Sequence, residues 1–247
     1  MKEINSIARF FVLIFFFTFF SNKCFSKEFV AFDVGEISNS VVSLGPPEIR
    51  CASVSSSGDV NLTWLEVNDP LGIFVEYRIY SSSLGTPFTL IGTESNRLIT
   101  TFTDLGANAN LSSVDYYISC VSNSGGSIVE ENSLDTLSTI FLDVTNPSNG
   151  TAILQWNHMS NPQLTTVSNY YYVYMEFPSG IWNLIDSIST TLNSYIDTIT
   201  ICDEFLNFRI GLMDQLGCIS FSNVEGDQFQ DMLPPDIPII EYVTVDT

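Results

Sequence analysis

His158 is the chain's only histidine, and it stands alone in the polar stretch after Trp156. Zinc sites draw their ligands from clustered Cys and His, and Ser-His-Asp or Cys-His catalysis needs an imidazole beside a nucleophile. With neither partner near it, His158 reads as an exposed loop residue. Glu225, Asp227 and Asp231 gather near the end of the chain, but their spacing matches no calcium loop, and a solvated acidic linker is the simpler reading. Paired carboxylates for glycoside hydrolysis are available by type; context discounts them, because short alternating strands rarely enclose a deep cleft. Trp182 could stack on a sugar ring, yet its counterpart 94 residues earlier, Phe88, is also apolar, which favours a structural role. The triplet Tyr170-Tyr171-Tyr172 reads as strand, with only its outward members able to touch a ligand. No catalytic, cofactor-binding or metal-ligating residue is assigned, and no cofactor is expected.

Cysteine is the other reactive type. Beyond residue 26 the chain carries Cys51, Cys120, Cys202 and Cys218, an even count that favours disulfides in an exported protein. Cys51 is in phase with Ile49 and Cys120 with Ile118, so both are expected to face one core. A Cys51–Cys120 bridge would close a loop of about 70 residues and contribute roughly 3–4 kcal/mol; two reduced core thiols are the alternative. For Cys202 and Cys218 the pairing is open, because a strand over 205–213 would hold them too far apart unless it bends. Asn61, Asn110 and Asn149 begin Asn-x-Ser/Thr sequons, which chance readily supplies in so Ser-rich a chain.

The elements that carry these residues repeat. Val60-Asn61-Leu62-Thr63-Trp64 returns as Ala152-Ile153-Leu154-Gln155-Trp156, 92 residues on, and Tyr77-Arg78-Ile79-Tyr80 as Tyr171-Tyr172-Val173-Tyr174, 94 residues on. Phe88-Thr89-Leu90-Ile91 returns as Trp182-Asn183-Leu184-Ile185, and Tyr116-Tyr117-Ile118-Ser119-Cys120 as Phe208-Arg209-Ile210-Gly211-Leu212. Four anchors in one order mark two copies of one domain. Within each copy apolar residues alternate with polar ones: Val60, Leu62 and Trp64; Val75, Tyr77 and Ile79; Tyr116, Ile118 and Cys120; Phe208, Ile210 and Leu212. Alternation of this kind predicts antiparallel sheets with one wet face, packed as sandwiches.

An opening Pro-Pro, a tryptophan on the second strand, a Tyr-x-Ile-Tyr third strand and a Tyr-x-Ile strand running into Asn123-Ser124-Gly125 resemble fibronectin type III domains. The resemblance implies an all-β fold of tandem immunoglobulin-like (fibronectin type III) sandwiches. It makes Trp64, Tyr77, Tyr116, Trp156, Tyr171 and Phe208 structural anchors. Tyr116 stands where such sandwiches keep a tyrosine corner bonding back to the backbone, and Phe208 lacks the hydroxyl to do so. The expected boundaries are 45–136 and 137–232, after a linker at 27–44. Pro234-Pro235-Asp236-Ile237 repeats Pro46-Pro47-Glu48-Ile49, so 233–247 is read as the incomplete start of a third repeat and the chain as a fragment of a longer array. Cys218-Ile219-Ser220-Phe221-Ser222-Asn223 with the Glu225-Gly226-Asp227 run and Pro-Pro-Asp also resembles the repeat regions of large gliding-motility surface proteins of Bacteroidetes.

Lys2 and Arg9 precede an apolar run from Phe10 to Phe20. That run is too short to span a bilayer core and suits a secretory signal peptide over 1–26, with cleavage after Ser26. A lipid-modified Cys24 is the rival, disfavoured by Lys23 and Ser21 where lipoprotein signals keep other residues. The mature chain holds no run of spanning length, and its five basic and 27 acidic residues give a net charge near −22. Such a surface repels phosphate backbones, which excludes nucleic acid as a partner; it favours solubility at the cell exterior. The function expected is a secreted or cell-surface, non-catalytic spacer and adhesion array whose partner is a protein or glycan surface ligand. The alternative is a set of accessory modules of an exported polysaccharide-degrading enzyme.

Overall fold

The computed structural model describes residues 42–232. The expected signal peptide, nearly all of the linker and the third-repeat stub lie outside the described residues. Every described element is a strand. The first eight are β1 (Ile49–Val54), β2 (Val60–Trp64), β3 (Phe74–Ser83), β4 (Thr89–Glu94), β5 (Thr101–Asp104), β6 (Val114–Ser124), β7 (Ser127–Asn132) and β8 (Leu137–Ser138). They form one sheet ordered β1-β2-β5 and another ordered β4-β3-β6-β7, with β8 also on β6. The next eight are β9 (Leu142–Thr145), β10 (Thr151–Trp156), β11 (Val167–Glu176), β12 (Trp182–Ser189), β13 (Ser194–Thr198), β14 (Glu204–Asp214), β15 (Ile219–Phe221) and β16 (Glu225–Phe229). They repeat the plan as β9-β10-β13 and β12-β11-β14-β15, with β16 on β14. In an immunoglobulin constant domain the fourth strand joins the first sheet; here it pairs with the third, in both copies. Both halves are fibronectin type III-like sandwiches.

The inward stripes meet across the two sheets of each half. Trp64 packs edge-on to Tyr77 at 5.3 Å, and Trp156 to Tyr171 at 5.5 Å. Trp64, Tyr77, Tyr116, Tyr171 and Phe208 are all fully buried, and Trp156 nearly so. Burying each such ring removes on the order of 150–250 Å² from water, so these six residues supply much of each core.

Two local irregularities depart from simple alternation. A register shift between Phe74 and Glu76 in the β3–β6 pairing turns Val75 outward, where it is 38 % exposed, and leaves Phe74 packed 4.8 Å from Tyr77. On β1, Ile49 faces Trp64 but Cys51 faces Thr63, so Arg50 is an extra residue. A bulge of this kind reverses the phase of everything beyond it. Ala52 and Val54 therefore enter the core, while Cys51 and Ser53 point away from it.

Leu137 and Ser138, placed by the repeat in the second copy, instead pair with Tyr116 and Asp115 of β6. The connector that follows is buried at Thr139 and Ile140. Thr139 N donates to Val114 O (2.8 Å), Asn157 Nδ2 donates to Thr139 O (3.0 Å), and Phe141 N donates to Asn157 Oδ1 (2.7 Å). The two sandwiches share one compact unit.

Candidate functional site

The bulge decides what Cys51 can reach. Its sulfur is bonded to Cys218, across the joint between the sandwiches, with α-carbons 6.3 Å apart. The expected Cys51–Cys120 bridge does not form, because Cys51 faces away from the core that holds Cys120. Cys120 is a buried free thiol, and burial pushes its pKa up to about 11, with the charges of Asp69 and Glu131 adding to the shift. Cys202 is an exposed free thiol, which answers the open question of its pairing with Cys218.

Around the disulfide, β1 and β15 lie edge to edge. Ala52 N donates to Ser220 Oγ (3.1 Å) and Phe221 N donates to Ser53 Oγ (3.2 Å). Arg50, the extra residue of the bulge, pairs with the buried carboxylate of Asp214 and with Glu48. Two sheet edges that would otherwise offer unpaired backbone are thus satisfied by serine side chains and closed by a covalent bond. Sequence reading missed Arg50, Ser53, Asp214 and Ser220. The only available signal was the odd-length step between Ile49 and Ala52, which alternation alone does not reveal.

Each sandwich also shows an aromatic outer face. In the first, Tyr80 stacks on Tyr117 at 4.6 Å and Phe88 meets Tyr117 edge-on at 4.8 Å. Beside them Glu130 accepts from Ser119 Oγ (2.6 Å), Tyr80 Oη (2.8 Å) and Arg78 Nη1 (2.6 Å). Burial alone would raise the Glu130 pKa, but these donors outweigh it and hold the carboxyl below its ordinary value. In the second sandwich Arg209 replaces Tyr117, with its guanidinium 4.2 Å from the ring centres of both Trp182 and Phe221. Such contacts contribute about 0.5–2 kcal/mol each, depending on exposure. Burial lowers the Arg209 pKa, with nearby Tyr174 and Glu176 opposing. A Cβ on Gly211 would lie 3.1 Å from Phe221 and 3.2 Å from Tyr174, so the bare backbone lets both rings settle on the sheet.

The remaining candidates do not converge. His158 is half-buried rather than exposed; its Nδ1 lies 3.1 Å from Tyr171 Oη, whose pKa burial pushes up to about 12. Glu225 and Asp227 belong to β16 rather than to a linker, and Glu225 is raised by burial and then by the charge of Asp143. Among the described residues no group of three His, Cys, Asp or Glu is placed to hold a metal ion. Tyr170 is exposed and Tyr171 buried, as strand alternation requires. Of the sequon residues, Asn149 Oδ1 accepts from Thr151 N (3.1 Å) and Oγ1 (2.7 Å), and Asn61 Oδ1 accepts from Thr103 Oγ1 (2.8 Å). An open hollow of about 400 Å³ lies between Pro46-Pro47 and Leu65–Asn68.

No family model matches the chain, and no curated protein does. Among solved structures it is similar to a crystal structure of the FN1–FN3 domains of chicken CNTN1. That likeness has 14 % identity over 76 % of this chain and 69 % of that one, with a TM-score of 0.32. The strand order, not this likeness, carries the fold assignment.

Proposed function

We propose that the chain is a non-catalytic, exported surface or secreted protein in which β-sandwich modules act as a spacer and adhesion array. The joint carries this reading: two sandwiches of one plan, held by a disulfide, a buried ion pair and edge-to-edge hydrogen bonds, make a stiff unit that presents loops and aromatic faces outward. The disulfide supports an oxidising compartment. The apolar run after Arg9 supports a cleaved signal peptide, and the likeness to gliding-associated surface repeats supports a place on the cell exterior. The ligand on this reading is a protein or glycan of a neighbouring surface, met by the loops or by the faces around Tyr117 and Arg209.

The test is fractionation of cells producing the full-length chain, with N-terminal sequencing of the mature form and assays on insoluble glycans. Surface or secreted protein starting at Lys27, without glycan hydrolysis, supports the proposal. Protein confined to the cytoplasm overturns export, and hydrolysis overturns the non-catalytic reading. Retention on a glycan without hydrolysis shifts the weight to accessory modules of a polysaccharide-degrading enzyme.

A further inference from the structure

We infer that the Cys51–Cys218 bond shields both sandwiches from tension, so that a force along the chain bypasses their cores. The two cysteines are 167 residues apart in sequence and their α-carbons 6.3 Å apart in space. Strands β2 to β14, which hold nearly all of both cores, lie wholly inside the loop that the bond closes. Tension entering from the N-terminal side reaches Cys51 after the first residues of β1, crosses to Cys218, and leaves through β15 and β16. Only the pieces outside the loop can be peeled away. With the bond open, the same segment would pay out to about 580 Å of extended chain.

The surroundings of the bond fit this role. Arg50, next to Cys51, pairs with the buried Asp214, and Ser53 and Ser220 tie the two edges together within two residues of each sulfur. The joint is therefore held on both sides of the covalent link. Nor is the link a feature of the repeat. The counterpart of Cys51, facing Gln155 as Cys51 faces Thr63, is Asp143; the counterpart of Cys218, 92 residues earlier, is Gly126. Neither carries sulfur, so the pair is specific to this junction. A shield of this kind makes the two sandwiches one inextensible segment, a use that rests on the spacer reading above.

The experiment stretches the full chain one molecule at a time through terminal tags, under oxidising conditions. It is then repeated with a dithiol, which gives two electrons and two protons to the disulfide and itself closes to a cyclic disulfide. Peptide mapping without reduction identifies the bonded pair in the same sample. The expected result is a mapped Cys51–Cys218 link, no long release in the oxidised chain, and releases summing to about 580 Å after reduction. Cys51→Ser is expected to show the long release without reductant; if it fails to fold, the reduced wild type gives the same reading. Long release from the oxidised chain, or a mapped Cys51–Cys120 link, overturns the inference. Shielding in a chain that proves cytoplasmic would sink the proposed function alone, while loss of shielding in a surface-exposed chain would sink this inference alone.

Discussion

Asp104 and Asp197 occupy the same place in the two copies, yet only Asp104 accepts from a tyrosine hydroxyl. Val60 faces Asp104 and Ala152 faces Asp197, each four residues before its core tryptophan. In the first sandwich Tyr116 Oη donates to Asp104 Oδ2 (2.8 Å), so the tyrosine corner closes on a carboxylate rather than on the backbone. In the second, Phe208 supplies no hydroxyl, and Asp197 is left with the Thr198 amide; burial raises its pKa, and the charge of Asp186 raises it further. A carboxyl whose folded pKa lies above its unfolded value costs stability once the pH is high enough to ionise it, and the cost vanishes below the unfolded value. Phe208→Tyr is therefore expected to stabilise the second sandwich by about 1 kcal/mol near neutral pH, with the gain fading below the ordinary carboxylate range. Urea unfolding at neutral and acid pH checks this; a loss at neutral pH would mean the hydroxyl does not reach Asp197. Tyr116→Phe is expected to cost about 1–2 kcal/mol, since it leaves Asp104 without its donor. Thiol chemistry gives a second residue-scale test. Native alkylation should label Cys202, which is exposed, and spare Cys120, whose thiol is buried and raised to about 11.

Strand by strand, alternation made most of the fold legible: the phase of Val60, Leu62 and Trp64, and of Tyr116, Ile118 and Cys120, is the phase of the structure. What alternation cannot show is an inserted residue, because a bulge leaves no mark in composition. Arg50 and the step at Val75 are two such insertions, and the first of them misdirected the disulfide assignment. A third misreading had a different cause. Glu225-Gly226-Asp227 looks like linker because Glu, Gly and Asp have low strand propensity, but β14 supplies a ladder that overrides it: Glu225 faces Phe208 and Gly226 faces Asn207. Gly226 is needed there for close approach, since a Cβ would lie 2.3 Å from the carbonyl oxygen of Leu206. Backbone cannot yield as a side-chain tip can, so Gly226→Ala is expected to cost more than about 2 kcal/mol. Gly211→Ala, which meets only side chains, should be milder and should mainly disturb the near-ultraviolet signal of Phe221 and Tyr174. Equal costs for the two would show that β16 is not held as tightly as its ladder implies.

At the scale of the whole molecule, the kind of sandwich and its repetition across the described residues were legible from the sequence, but the joint was not. Arg50 and Asp214 are 164 residues apart, and nothing local links them. The joint has two layers of different strength. A disulfide closing so long a loop contributes about 5 kcal/mol in the chain-entropy account. Breaking a buried ion pair by removing one partner costs about 3–5 kcal/mol, because the survivor stays buried and uncompensated. These contributions act between the sandwiches, so they govern whether the two unfold together. The oxidised wild type is expected to give one calorimetric transition spanning both. Cys218→Ser should lower its midpoint yet keep it single, because Arg50–Asp214, the serine bonds and the buried connector still join the halves. Adding Asp214→Asn to that variant should separate the unfolding into two transitions, each sensitive to mutations in its own core. Tyr116→Phe would then shift only the first sandwich and Phe208→Tyr only the second. Two transitions already present in the oxidised wild type would mean that the sandwiches are bonded but not energetically coupled, and that the ion pair contributes little beyond its own desolvation.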